Sequence, residues 1–385
     1  MIPYGRQSII EEDIIAVSNV LRSDFLTQGP IVPKFEKKVS SYCKVKYAFA
    51  SNSATSALHL SCLALGLRSG DWLWTSPVTF VASSNCGLYC GAKVSFVDID
   101  PSTLLISITK LEEKLEKAKK ENCLPKIVVP VHLCGQSCDM KSIYDLSIKY
   151  GFKIIEDASH AIGGKYNNTP IGSCRYSDIC VFSFHPVKII TTGEGGMAVT
   201  NNKELAEKIN LLRSHGITRE TEQMTKVSDG PWYYQQLSLG FNYRMTDIQG
   251  ALGISQIMRL DSYVNRRNEL ASNYNNQLDT LPITLPAQHK DCYSSYHLYV
   301  IRLNLKRLDI NRKDVFLRLR EKGIGVNVHY IPIHMQPYYQ NLGFKKGDYP
   351  EAENYYEEAI SLPIFPMMSE KEQNKVVAEI KLIIS

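Results

Sequence analysis

The sequence predicts an α/β protein whose main unit is a largely parallel sheet, and three observations carry that prediction. Between Tyr47 and Thr200, short apolar runs alternate with helical patterns, the signature of strands joined by crossover helices. The runs are apolar almost throughout rather than at every second residue, so both faces of the sheet are expected to be covered. At 385 residues, against roughly 100–200 per domain, the chain has room for a second unit.

In order, strands are expected over 47–51, 72–76, 94–98, 127–132, 153–156, 179–184 and 197–200. A helix is expected over 110–121, because Leu111, Leu115 and Ala118 recur at one face while Lys and Glu fill most other positions. Thr246-Asp-Ile-Gln249 has the form of a capping box, and Ile248, Leu252, Met258 and Leu260 continue a long helical stretch towards Leu278. Beyond it the pattern changes to strand 299–303, helix 313–322, strand 326–330, proline-rich turns and a closing helix over 371–384. The division expected is a large unit over 1–260 and a smaller α+β unit over 261–385.

Composition narrows the function. The chain has 44 Lys and Arg against 39 Asp and Glu, a net charge of +5, which argues against dedicated nucleic-acid binding. Its ten cysteines lie mostly in apolar runs, where a thiol behaves as a small hydrophobe, and a reducing cytoplasm is expected. Neither a secretory apolar segment nor a run long enough to span a membrane is seen. His132, Cys134 and Cys138 could suggest a metal, but zinc frameworks usually pair two such clusters and no second one is present, so none is expected. Gly193-Glu-Gly-Gly196 lacks the Lys-Ser/Thr of a P-loop, and no GxGxxG follows a strand, so neither ATP nor a dinucleotide is indicated.

The informative residues stand where expected strands end in polar positions. Asp157 and His160 follow one strand; Ser183 ends another, with Lys188 just beyond it. In a parallel sheet these carboxyl ends form the ligand crevice. A lysine there can form a Schiff base with an aldehyde cofactor, and an aspartate can keep a pyridinium nitrogen protonated so that the ring accepts electrons, the pairing that pyridoxal 5'-phosphate needs. Asn52-Ser-Ala54-Thr55-Ser opens a helix directly after the first strand, presenting free amides and hydroxyls to a phosphate, and Ser183 could add a hydroxyl.

Over almost its whole length the chain also resembles the DegT/DnrJ/EryC1/StrS family of pyridoxal-phosphate-dependent sugar-nucleotide aminotransferases. The matching segments are Leu26-Thr-Gln-Gly-Pro30, Thr79-Phe80-Val-Ala-Ser, His132-Leu-Cys-Gly-Gln136, Glu156-Asp157-Ala-Ser-His160-Ala, Ser183-Phe-His-Pro-Val-Lys188, Gly240-Phe-Asn242-Tyr-Arg-Met-Thr-Asp-Ile-Gln249 and Val328-His329-Tyr330-Ile-Pro-Ile-His334. The resemblance implies a fold-type I, aspartate aminotransferase-like architecture: a mainly parallel seven-stranded sheet with a smaller C-terminal domain. It implies a Schiff-base role for Lys188, a ring-nitrogen role for Asp157, a place beside the ring for His160 and stacking by Phe80. Ala54, Thr55 and Ser183 would hold the phosphate, joined by Asn242 of the other subunit in a homodimer with shared sites. Tyr4, Asp24, Phe25, Leu26 and Thr27, with Asn327, Val328, His329 and Tyr330, would contact the sugar nucleotide, and L-glutamate would be the amino donor. Ala54, Ser183 and Asn242 would also border that substrate.

Departures locate the branch. Asn52-Ser-Ala-Thr-Ser-Ala-Leu58 replaces the common Gly-Thr form and is similar to the pseudaminic-acid branch, which aminates C4 of a UDP-linked 4-keto-6-deoxy N-acetyl sugar. Cys134 stands for a common Tyr and His160 for a Gln found in other branches; Lys188 argues against the related dehydratases, which have His there. The alternatives are amination at C3 or C4 of a dTDP- or GDP-linked keto sugar and, from another class, a non-catalytic pyridoxal-phosphate-binding regulator.

Overall fold

Seven strands of the large unit join one sheet in a computed structural model that describes residues 1–384. In chain order they are β1 (Tyr47–Ser51), β2 (Trp72–Thr75), β3 (Lys93–Phe96), β4 (Ile127–Val129), β5 (Lys153–Asp157), β6 (Ile179–Ser183) and β7 (Gly196–Thr200). All seven fall where the apolar runs predict them. The lateral order is β1-β7-β6-β5-β4-β2-β3, and only β7 runs against its neighbours. Its direction has a local cause: residues 184–195 contain no helix, and without a crossover a chain can return beside the strand it left only in the antiparallel sense. The amino end of β7 therefore meets the carboxyl ends of β1, β5 and β6 at one edge.

Both faces are covered, as near-continuous hydrophobicity requires. Phe182, Met197 and Val199 join Val32, Phe35 and Phe184 in one core, while the alternate residues Val181 and Ala198 pack with Leu58, Leu60 and Leu73 in another. Burying a side chain such as Phe182 contributes roughly 1.5–3 kcal/mol. The helix that opens after β1, Ala54–Ala64, lies on the second face.

The expected helix from Thr246 to Leu278 is two helices, Asp247–Ile257 and Leu260–Leu278. Its start is the expected capping box: Gln249 N donates to Thr246 Oγ1 (3.3 Å) and Thr246 N to Gln249 Oε1 (2.9 Å). No Gly or Pro marks the break at Met258-Arg259; there Arg259 donates to both oxygens of the buried Asp13 carboxylate (2.8 Å each), a partner almost the whole large unit away in sequence.

Residues 261–385 were expected to form the smaller unit. Within the described part, a separate antiparallel sheet is built from β8 (Ile283–Thr284), β9 (Tyr299–Leu303) and β10 (Ala359–Leu362), over a core shared with the helices Leu260–Leu278 and Glu370–Ile384. β10 had no counterpart in the sequence reading. Conversely, the strand expected over 326–330 does not form. The chain at 326–330 makes one bridge to the outer edge of β10, Asn327 to Ser361, and then leaves it as Asn327 Oδ1 takes the Val328 amide and His329 turns its ring to Ser361 Oγ. Among the described residues, no helix is long and apolar enough to cross a membrane.

Candidate active site

A cavity of about 660 Å³ opens at the carboxyl edge of the sheet. The residues that reach it come from separate strand ends, and the sheet order explains why they meet. Asp157 ends β5, Ser183 ends the adjacent β6, Lys188 lies in the helix-free return to β7, and Ala54 and Thr55 form the first turn of the helix after β1.

That first turn carries free donors. Ser53 caps it by accepting from Ser56 N (3.1 Å), while the amides of Ala54 and Thr55 have no acceptor among the described residues. Gly196 lets the turn sit against the sheet, since a Cβ there would lie 2.4 Å from Ala54 N. Unpaired amides at the positive end of a helix form a seat for a phosphate.

Asp157 is held on every side. Its Oδ1 accepts from Ser159 N (3.1 Å) and Oγ (2.6 Å), and its Oδ2 from Ser83 Oγ (2.6 Å). Its backbone is gripped by the loop after β4, with His132 N donating to Asp157 O (3.0 Å) and Asp157 N to Pro130 O (2.9 Å). His132 is itself fully used, by Cys138 N at Nδ1 (3.2 Å) and Glu156 Oε2 at Nε2 (2.8 Å).

Lys188 is half-buried on the cavity wall. Burial pushes its amine down to about 8, against the opposing pull of the Asp157 carboxylate. His160 is buried, and burial, Lys188 and His329 hold it well below the ordinary histidine range. The neutral ring has one tautomer here: Cys134 N donates to Nδ1 (3.3 Å), so the proton sits on Nε2 and is donated to Tyr330 Oη (3.1 Å). His329 is pushed down to about 4 by burial and then by Lys188. It lies between Ser361 Oγ (2.7 Å) and Asn327 Nδ2 (3.4 Å), with the Tyr4 ring 5.1 Å from its own. Phe80 stands at the mouth, 58% exposed, its ring 6.2 Å from that of Tyr330.

Ten of the expected residues thus meet in one cleft: Tyr4, Ala54, Thr55, Phe80, Asp157, His160, Ser183, Lys188, His329 and Tyr330. The others do not. Asp24, Phe25, Leu26 and Thr27 are exposed on another surface, where Leu26 O accepts from Asp247 N (2.9 Å) and Thr27 bridges Thr246. Asn242 is also exposed, bridged to Ser214, in a segment whose Tyr243 O accepts from Asn52 N (2.8 Å). Asn327 and Val328 lie behind His329, with Asn327 turned to Ser361 and to Val328 N. A motif gives a residue's place in the sequence but not the surface on which folding leaves it, and strand-like alternation over 326–330 hid the turn of the chain. The sequence reading also missed Ser83, Ser159 and His297. Ser159 had a signal in the Asp-x-Ser spacing of a local side-chain turn; Ser83 and His297 reach the site through tertiary packing alone.

The model of the DegT/DnrJ/EryC1/StrS aminotransferase family matches residues 7–381. The chain belongs to this family. The spore coat polysaccharide biosynthesis protein SpsC of Bacillus subtilis is 39% identical over 100% of this chain and 97% of its own length. A Campylobacter jejuni protein named UDP-4-amino-4,6-dideoxy-N-acetyl-beta-L-altrosamine transaminase is 39% identical over 97% of this chain and 94% of its own. Helicobacter pylori PseC, described as an aminotransferase involved in the biosynthesis of pseudoaminic acid, superimposes with a TM-score of 0.90 at 33% identity, covering 100% of this chain and 99% of the other. This DegT-family protein is accordingly a sugar aminotransferase with the fold of the pyridoxal-phosphate-dependent enzymes. Its cleft suits that cofactor: free amides await a phosphate, a fixed carboxylate a ring nitrogen, and an amine of lowered basicity an aldehyde carbon.

Proposed function

We propose that the enzyme transfers the amino group of L-glutamate to C4 of a UDP-linked 4-keto-6-deoxy sugar, UDP-2-acetamido-2,6-dideoxy-β-L-arabino-hexos-4-ulose, giving the 4-amino sugar for pseudaminic acid biosynthesis. Transamination rests on the convergence of Lys188, Asp157 and the free Ala54 and Thr55 amides in one cleft. The choice of sugar rests on the altrosamine transaminase and PseC likenesses. Bound there, pyridoxal phosphate supplies an electrophilic carbon and an electron-accepting ring. Lys188 Nζ, whose free base becomes the main form above about pH 8, would take a proton from the carbon bearing the amino group and return one to the sugar C4. The Asp157 carboxylate keeps a proton on the facing ring nitrogen. The Ala54 and Thr55 amides and the Ser183 hydroxyl bind the phosphate, Phe80 covers the ring, and Tyr4, His329 and Tyr330 border the sugar.

Incubating the enzyme and L-glutamate with UDP-, dTDP- and GDP-linked 4-keto sugars, read by mass spectrometry, tests the substrate. Exchange of the keto oxygen for an amine on the UDP-linked N-acetyl sugar is the expected result. Turnover confined to a dTDP or GDP sugar would transfer the assignment to that nucleotide.

The site is further proposed to be shared in a homodimer. Asn242 and residues 24–27 are exposed and line no part of their own chain's cleft, as they would if they served a partner's. In a mixed dimer of Lys188→Ala and Asn242→Ala subunits, both lesions would then fall in one site and leave the other wild type. Co-refolding the two impaired proteins is expected to restore up to about half of the wild-type activity per mixed dimer. No restoration would place Asn242 in its own chain's site.

A further inference from the structure

Three histidines crowd the inner wall of the cleft, and two of them have both ring nitrogens engaged. His160 lies between Cys134 N and Tyr330 Oη; His329 lies between Ser361 Oγ and Asn327 Nδ2. Among the described residues the His297 side chain has no hydrogen-bond partner, although its ring lines the cavity 4.3 Å from that of His160 and the residue is only 4% exposed. Its Nδ1 is sealed in protein without a partner. An orphaned acceptor costs less there than an orphaned N–H, so the ring proton belongs on Nε2. Burial, and then His160 and Lys188, hold the ring well below the ordinary histidine range, so it is neutral.

The ring is also held in place. Arg267, itself buried, donates from one guanidinium nitrogen to the carbonyls of Tyr296 (3.1 Å), His297 (3.2 Å) and Ile364 (2.9 Å), and Ser295 Oγ donates to His160 O (2.8 Å). The backbone on both sides of His297 is therefore pinned, and a pinned donor without a partner is arranged for something that arrives. Charge indicates what arrives. Arg267 bonds to carbonyl oxygens and has no carboxylate partner among the described residues, so an uncompensated positive charge lies behind His297. Among the described residues, no arginine lines the cavity to clamp a carboxylate in the usual forked manner.

We propose that His297 binds a carboxylate oxygen of the amino donor, donating a hydrogen bond to it from Nε2. This rests on the transaminase reading above and adds a donor-specific residue to it. The test uses the cofactor-loaded enzyme and two variants: His297→Phe keeps the ring against His160 but removes both nitrogens, and His297→Gln keeps an N–H donor. Affinity for glutarate, which has carboxylates but no amino group, is measured by calorimetry. The L-glutamate half-reaction and the sugar half-reaction, the latter on enzyme loaded with pyridoxamine phosphate, are followed separately.

In His297→Phe, the glutarate Kd and the half-saturating glutamate concentration are expected to rise about ten- to hundred-fold, the range of one hydrogen bond to a charged group. The sugar half-reaction should change by less than about two-fold, and His297→Gln should recover part of the loss. Unchanged glutarate affinity in His297→Phe, or equal losses in both half-reactions, would overturn the assignment. A wild type that binds glutarate through His297 yet aminates no sugar would instead overturn the transaminase reading.

Discussion

Lys188→Ala is expected to lower transamination by at least about 10⁴-fold, the upper range for losing a positioned acid–base group that is also a nucleophile. Borohydride reduction followed by mass spectrometry should find cofactor attached to wild-type Lys188 and none on the variant; turnover within ten-fold of wild type would remove this lysine from the chemistry. The same amine makes a pH prediction for protein freed of cofactor. Folded Lys188 titrates near 8 and unfolded lysine near 10.5, so between these values the unfolded chain holds more protons. Stability should therefore rise with pH across that window, as the buried amine no longer has to carry charge. Below about 8 both states are protonated and the penalty is constant. Lys188→Met should flatten the rise in melting temperature between pH 8 and 10.5; an unaltered slope would show that another group governs it.

Asp157→Ala is expected to retain the cofactor but lose about 10²–10³-fold in kcat, the scale of removing one preorganised electrostatic group. Binding survives because the Ala54 and Thr55 amides belong to the helix after β1, not to β5. Little collapse is expected around the gap, since Ser83 is within a helix, Ser159 is in a turn, and Pro130 and His132 bond to the backbone of residue 157 rather than its side chain. The loss should appear in kcat with cofactor affinity changed by less than about ten-fold. An unchanged kcat would mean that another group faces the ring nitrogen.

Most of the site was legible because its residues lie where a local pattern changes. Asp157, Ser183 and Lys188 each follow a run of apolar residues buried on both faces, and that run announces a strand, its end and therefore the crevice edge. Ala54 and Thr55 were legible for a similar reason, as the start of a helix directly after a strand. Family resemblance added Phe80, Tyr4, His329 and Tyr330, which no periodicity would single out. Ser83 and His297 stayed hidden: the first is one of two adjacent serines in a helix, the second one of nine histidines, and neither carries a mark of what it packs against.

The sequence by itself determined the seven strands of the large sheet, the capping box at Thr246 and the cofactor chemistry, because apolar period, turn chemistry and residue type act over a few neighbouring positions. Tertiary structure alone decided the break at Met258, where Arg259 turns to Asp13, and the departure of 326–330 from the sheet after the single bridge of Asn327 to Ser361. It also decided the clamp that Arg267 places on His297 and the exposure of Asn242 and residues 24–27, none of which lines the cleft of its own chain. Each depends on a partner far away in the chain, and the free energy of such a contact is set by geometry reached only on folding, which a local pattern does not encode.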